Sequence, residues 1–389
     1  MRRHHNGSSI SHLKIAIGIC FGFSLGWLGA TSSRLTIEVA NNTPESFMPW
    51  QETNHEYIPS ISEEFIMNNL ENLGYDSEDD PNGCNIWLDQ NATNAKIYER
   101  LISYGNELDR YNQAIQQFQP INMNIHDHIK ENGNHNICDA LKLHPDGLSG
   151  LFPSGQLSLS KSGFIEPLTP PFRHHKFCWE ARGKGIWSTK HLMSMDYLVH
   201  DFEFMCRNLK QTSRKVFIDM GASLSFHGGG APAISLLELY ENFGFHFDHI
   251  FAFEITYTEP KEVFGKLLPD KYFASYHWIN TGVSSGDGDK LNPLQSVLQK
   301  FSEDDLIIVK LDIDTASIEL PLVKQLLEGG PGGIYHQIVD QFYFEHHVHL
   351  GEIAKWWSAT GDGMEGTIKE SLEMFHGLRK NGIPAHYWP

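Results

Sequence analysis

The sequence predicts an α/β fold, a doubly wound sheet over residues 178–389, on three observations. From about Cys178 onward, short apolar runs alternate with amphipathic segments. The runs are almost unbroken in apolar residues, the pattern of strands covered on both faces. Polar and charged residues then follow the same end of four of these runs. Ligands of such sheets bind beyond the carboxyl ends of the strands, where the strand order reverses.

The elements are justified in chain order. Residues 1–14 (MRRHHNGSSISHLK) form a basic tail before an uncharged stretch, residues 15–30 (IAIGICFGFSLGWLGA). As a helix that stretch rises about 24 Å, close to a hydrocarbon core of about 30 Å. Arg2, Arg3 and Lys14 precede it, so it is expected to be a transmembrane signal anchor with a cytoplasmic tail. The rest of the chain is then expected in the ER or Golgi lumen as a single-pass type II membrane protein. A cleaved signal peptide, giving a secreted chain, is the rival, although Leu28 stands where a cut after Ala30 prefers a small residue. Asn41-Asn42-Thr43 and Asn91-Ala92-Thr93 are glycosylation acceptors and agree with export. Residues 31–93 read as a polar stem or linker, ending its acidic part in DSEDDPNG. Residues 94–177 read as a helical and loop region packed on the main domain. Ile97, Leu101, Leu108 and Tyr111 carry the helical spacing over 94–118, and Pro/Gly-rich loops fill 144–175.

Within the main domain, residues 215–220 (KVFIDM) are the first strand and 232–243 a helix stopped by Gly244. Residues 249–253 (HIFAF) and 276–279 are the second and third strands, and 306–311 (LIIVKL) the fourth. A helix over 318–327 ends at Gly329-Gly330, followed by a fifth strand at 338–344. Ile368, Leu372 and Phe375 mark the last helix, and residues 383–388 a closing strand.

Composition narrows the partners. The chain has 389 residues and a formal net charge of −18, which argues against a protein that tracks phosphates along nucleic acid. A small molecule, a glycan or a protein is the expected acceptor. Five cysteines include Cys20 in the apolar stretch. The other four show no metal-type spacing and allow three disulfide connectivities; proximity in sequence favours Cys84–Cys138 with Cys178–Cys206.

The strand ends carry the candidate chemistry. The first gives Asp219, Gly221 and Ser223, the second Glu254, the fourth Asp312 and Asp314, the fifth Glu345, His346, His347 and His349. A carboxylate such as Glu254 accepts both hydroxyls of a ribose. Asp312 and Asp314 share a face if the backbone is extended, and with Glu345 and His347 they make a carboxylate and imidazole set for a divalent metal. Asp312 or His347 suits a general base. The same residues have plain structural uses: strand-end caps, a helix N-cap, a solvent ion pair, and chance clustering among 22 histidines. Gly228-Gly229-Gly230 lacks the lysine of a P-loop and reads as a flexible turn. Trp187, Lys190 and His191 read as packing residues or as a cover for a cofactor.

In order and spacing, VFIDMGAS, FAFE, VKLDIDTASIE, FYFEHHVH and FHGLRKNGIPAHYWP resemble the class I methyltransferases, and more narrowly the FkbM and methyltransferase-like-24 group. The resemblance covers residues 215–389, less than half the chain. It implies a Rossmann-like methyltransferase sheet and S-adenosylmethionine as cofactor. Asp219, Gly221 and Ser223 would line its methionine part and Glu254 its ribose. Asp287, in the run Ser284–Asp287, would lie near the adenine, and Asp312 at the point of methyl transfer. Two departures stand out: the second glycine of the first motif is not at its usual spacing, and Asp314 is followed by Thr315 rather than glycine. The implied activity is O-methylation of a glycan, small metabolite or protein. Two other readings remain open. One is a type II glycosyltransferase holding a metal and a nucleotide sugar on Asp312-x-Asp314. The other is an inactive methyltransferase-like domain that only binds.

Overall fold

The structure is a computed structural model. It describes residues 56–79, 81–88, 90, 95–132, 148–170, 175–181, 191, 193–210, 212–224, 232–351, 353 and 363–388. Asn54–Pro389 cluster as one compact unit.

Its centre is a six-stranded parallel sheet. The strands are β3 (Lys215–Met220), β4 (His249–Phe253), β5 (Tyr276–Ile279), β6 (Leu306–Leu311), β7 (Gln341–Phe344) and β8 (Ala385–Tyr387). They lie in the order β5-β4-β3-β6-β7-β8, every pair parallel. The order reverses between β3 and β6, which makes this a Rossmann-like core with its switch point at those two strands. All six residues of β6 are buried, as are five of six in β3, so neither strand shows the alternation of a half-exposed strand. Two small strands, β1 (Ser158–Ser160) and β2 (Gly163–Ile165), pair antiparallel outside the main sheet.

The N-terminal half supplies helices α1 (Ile61–Met67), α2 (Asn85–Leu88), α3 (Ala95–Asn132), α4 (Phe177–Ala181) and α5 (Phe202–Asn208). Part of the segment read as a stem thus carries α1 and contributes Ile66, Leu70 and Tyr75 to the core. Along α3, Ile97, Leu101, Tyr104, Leu108, Tyr111 and Ile115 are buried at steps of three and four, one helical face turned inward. The crossover helices are α6 (Pro232–Asn242), α7 (Ala316–Glu328) and, after the short α8 (Ile334–Ile338), α9 (Ile368–Lys380). Helix α7 stops at Gly329, whose φ of 82° is the left-handed conformation that closes a helix. Helix α9 starts at a capping box in which Thr367 and Glu370 each bond the other's backbone N–H.

The last helix and strand are tied to the first described residues by buried charge. The Arg379 guanidinium donates to Tyr57 Oη at 3.1 Å, to the Glu166 carbonyl at 2.7 Å and to the Ala385 carbonyl at 2.8 Å, and it lies 3.4 Å from Glu63 Oε2. Glu63 also accepts from Tyr57 and Ser158, and His386 meets Glu166 at 2.7 Å. Burial pushes the Glu63 carboxyl up, but its hydrogen bond with His376 and the Arg379 charge together draw it below its ordinary range.

Two expectations need correction. Cys84 is bonded to Cys178, with Cα atoms 5.4 Å apart across 94 residues of sequence. The pairing Cys84–Cys138 with Cys178–Cys206 is therefore wrong: α2 and α4 pack against each other, so cysteines far apart in sequence are neighbours in space. Cys206 is also disulfide-bonded, and Cys138 lies outside the described residues. The second correction concerns the membrane. Among the described residues, no helix is long and apolar enough to cross one. The longest, α3, has the length, but Lys96, Glu99, Arg100, Glu107, Asp109 and Arg110 recur along it. Residues 15–30, on which the anchor rested, lie outside the described residues. The membrane anchor, the membrane partner and the type II topology with its lumenal placement are accordingly withdrawn. Asn41, Asn91, Trp187, Lys190 and Gly228–Gly230 lie outside the described residues as well.

Candidate functional site

The site grows out of two charges inside strands that are otherwise apolar. Asp219 in β3 and Lys310 in β6 are direct register partners, and both are buried. Lys310 Nζ lies 3.1 Å from Asp219 Oδ1, 3.1 Å from Asp312 Oδ2 and 3.1 Å from the Gly221 carbonyl. The indole of Trp388, just after β8, donates to the same Asp312 Oδ2 at 3.0 Å and presents its ring to the ammonium. Burial alone would lower the lysine's pKa, but the two carboxylates outweigh it and hold the ammonium above its ordinary value. Asp312 moves up to about 7, because burial and the neighbouring Glu345 charge oppose the help from Lys310. Asp219 is also raised, by burial.

At the end of β3 the chain turns through Gly221, with φ of 95°. The N–H groups of Gly221 and Ala222 both donate to the Phe253 carbonyl, at 3.0 and 2.9 Å. A Cβ at Gly221 would lie 1.6 Å from the carbonyl oxygen of Asp312, so the two central strand ends approach as closely as backbone allows. Ser223 beyond the turn is exposed.

Beside this turn, Glu254 follows β4 directly. Its Oε1 accepts the Thr256 N–H at 2.6 Å, and Asn280 holds its carbonyl at 2.7 Å. Ile255 next to it is 77% exposed. Asp287 is exposed on the loop after β5 and accepts from Gln295 at 3.0 Å.

The fourth and fifth strand ends hold a second group. Asp314 has a φ of 52°, the only positive value among the described non-glycine residues. The left-handed region tolerates aspartate better than most residues. This turn breaks the extended geometry under which Asp312 and Asp314 would share a face. Asp314 Oδ1 lies 3.5 Å from His347 Nε2, and Glu345 Oε2 lies 3.6 Å from the same nitrogen. One ligand atom from each of Asp314, Glu345 and His347 lies within 4.8 Å of the others, so the three can chelate a divalent metal. Asp312 is outside this triad. Burial would depress His347, but Glu345 and Asp314 raise it. Asp314 is raised by burial and by Glu345.

Of the residues singled out in the sequence, the structure brings Asp314, Glu345 and His347 together and sets Asp312 beside Asp219 and Gly221. Glu254 and Asp287 stand on the neighbouring loops. His346 points elsewhere, into contact with Ser371 at 3.0 Å, and His349 bonds the Gly366 carbonyl at 2.9 Å. His191 stands beside Glu180 at 2.9 Å.

Three site residues escaped the sequence reading: Lys310, Trp388 and Glu319. Lys310 carried a usable signal, since a lysine in a strand buried on both faces requires a carboxylate partner, and KVFIDM offers one. Glu319, in the first turn of α7, accepts the Ile313 N–H at 2.9 Å and is pushed up to about 8 by burial. Trp388 had no signal beyond its place at the end of the expected closing strand, 383–388.

A scan against protein-family models, a search of curated proteins and a search of solved structures each return no match to this chain. The fold is consistent with a cofactor- or nucleotide-binding enzyme in general, and the metal-capable triad at the ends of β6 and β7 agrees with an enzymatic role.

Proposed function

We propose that the chain is an S-adenosylmethionine-dependent methyltransferase acting on an oxygen atom of its acceptor. The observation that carries this reading is the sign of charge at the crevice. Glu254, Asp312, Asp314 and Glu345 all follow the C-terminal ends of sheet strands, while Lys310 is held inside the sheet by Asp219 and Asp312. Without a cation at the triad, a diphosphate approaching these strand ends meets like charge, whereas a sulfonium meets opposite charge.

The residues present fit the group. The turn at Gly221 offers backbone without a side chain for the methionine part, with Asp219 and Ser223 on either side. Glu254 would take the ribose hydroxyls, the exposed Ile255 beside it is an apolar surface for a planar base, and Asp287 lies on the adjoining loop. When bound, S-adenosylmethionine supplies an electrophilic methyl on a positively charged sulfur. The chain's own part is orientation and proton handling. Lys310 and Trp388 fix Asp312 through Oδ2, which leaves Oδ1 to accept the acceptor's hydroxyl proton.

Calorimetric titration of the full chain tests the reading. Heat with S-adenosylmethionine, in the absence of added metal, is the expected result. Heat only with a UDP-sugar and manganese would replace the proposal with glycosyl transfer. Silence with both, from folded protein, would make the domain a binding module.

A further inference from the structure

We infer that His249 and His277 form a two-histidine site for one exchangeable divalent cation of the copper, nickel or zinc type, on the sheet face at its β5 edge and apart from the strand-end crevice. The inference does not rest on the methyltransferase reading.

The geometry carries it. His249 Nδ1 and His277 Nε2 lie 3.1 Å apart. A cation holding two imidazole nitrogens at about 2.0–2.1 Å separates them by about 3.3 Å at the tetrahedral angle and about 2.9 Å at a right angle. The observed spacing falls between those two values. It follows from the register: Phe251 of β4 and His277 of β5 are direct partners, and His249 precedes Phe251 by two positions, so all three share one face. Packing fixes the rings, with the Phe251 centroid 4.7 Å from that of His277 and the Phe301 centroid 6.3 Å from that of His249. His249 stands four residues before the end of β4, about 13 Å along the strand from the crevice.

The donors can be made ready without cost in protons. One facing nitrogen now donates to the other, and each ring's second nitrogen, His249 Nε2 or His277 Nδ1, has no hydrogen-bond partner among the described residues. The shared proton can move to that second nitrogen, so cation binding changes a tautomer and releases no proton. Burial and the neighbouring His249 charge lower the pKa of His277, which keeps that ring neutral and able to ligate. Two imidazoles select copper, nickel or zinc over magnesium or calcium. Among the described residues no third His, Cys, Asp or Glu completes the pair, and both rings are half-buried. Asp248 and Asp305 nearby in sequence or packing are engaged with Lys215 and Arg214. Water therefore fills the other positions, and the cation exchanges, unlike a structural zinc with four protein ligands. It would join the edge strand β5 to β4.

Calorimetric titration of the full chain with zinc at neutral pH is the test. The wild type should bind one equivalent that His277→Phe loses or binds at least about tenfold more weakly. His249→Phe should show the same loss, and both variants keep an aromatic ring in the packing. Asp314→Asn should retain that equivalent, which separates the pair from the Asp314–Glu345–His347 triad; asparagine tolerates the left-handed backbone there. Copper(II) bound to Asp314→Asn should show two coupled nitrogens by electron paramagnetic resonance. Equal zinc binding by the wild type and either histidine variant, in folded protein, would overturn the site. Loss of the equivalent in Asp314→Asn, or a copper signal with a single nitrogen, would overturn it too. If a phenylalanine variant does not fold, His249→Gln and His277→Gln serve in the same comparison, since a polar side chain suits a half-exposed position.

Discussion

The carbonyl oxygen of Asp312 occupies the space that a Cβ on Gly221 would need, 1.6 Å from its ideal position. The two residues end the strands on either side of the switch point, so any side chain at 221 forces β3 and β6 apart at their tips. Gly221→Ala also meets a φ of 95° that alanine rarely adopts. The variant is expected to lose more than about 2 kcal/mol in urea unfolding, with cofactor affinity lost in whatever remains folded. Wild-type stability would mean that the strand ends can separate freely.

Lys310 is the counter-charge for two carboxylates. Lys310→Met leaves Asp219 and Asp312 buried without it and is expected to cost about 3–5 kcal/mol. Adding Asp219→Leu should recover much of that loss, since an apolar pair suits a strand interior. Urea titrations of the single and double variants measure the coupling; additive losses would show that the pair does not interact.

Glu254 is expected to act on binding rather than on stability. Its Oε1 caps Thr256, and the other oxygen remains for a ribose. Glu254→Gln keeps one acceptor oxygen and puts an NH₂ donor in place of the other, whereas Glu254→Ala removes both oxygens. The alanine variant should bind S-adenosylmethionine about 10- to 100-fold more weakly at nearly unchanged melting temperature. Equal affinity by calorimetry would remove Glu254 from the site.

Asp305 gives a pH dependence with a defined sign. Burial opposes its ionisation, but the Arg214 guanidinium at 2.6 Å and backbone N–H bonds hold its carboxyl down at about 2. A folded-state pKa below the unfolded value of about 3.9 gives stability present above pH 4 and lost as pH falls toward 2. Arg214 is half-exposed, so screening reduces the effect to about 1–2 kcal/mol. Stability measured from pH 5 to 2 should fall by that much more in the wild type than in Asp305→Asn.

How much of this was legible beforehand differs by region. The strands were readable because KVFIDM, HIFAF and LIIVKL are short, nearly unbroken apolar runs; the first and last are buried on both faces, while His249 and Phe251 of the second are half-buried. The strand-end residues were readable for the same reason, since a charge after an apolar run marks where a strand leaves the sheet. The split of Asp312 from Asp314 was not, because it depends on a left-handed turn that aspartate permits but does not announce. The Cys84–Cys178 bond was hidden because the contact between α2 and α4 is tertiary. The incorporation of α1 into the core was hidden too: Glu63 looks like a solvent residue until Arg379 is placed beside it.

That pairing sets an order on how the molecule can be made. Glu63 and Arg379 are separated by 316 positions, and each is completely enclosed. A chain emerging from the ribosome therefore carries Glu63 through the synthesis of the intervening 316 positions without the α9 cation that receives it, and α1 cannot settle until α9 has been released. Docking of α1 is thereby postponed until α9 has been made, and a product that stops short of α9 would be a clear substrate for chaperones and proteases rather than a smaller working protein.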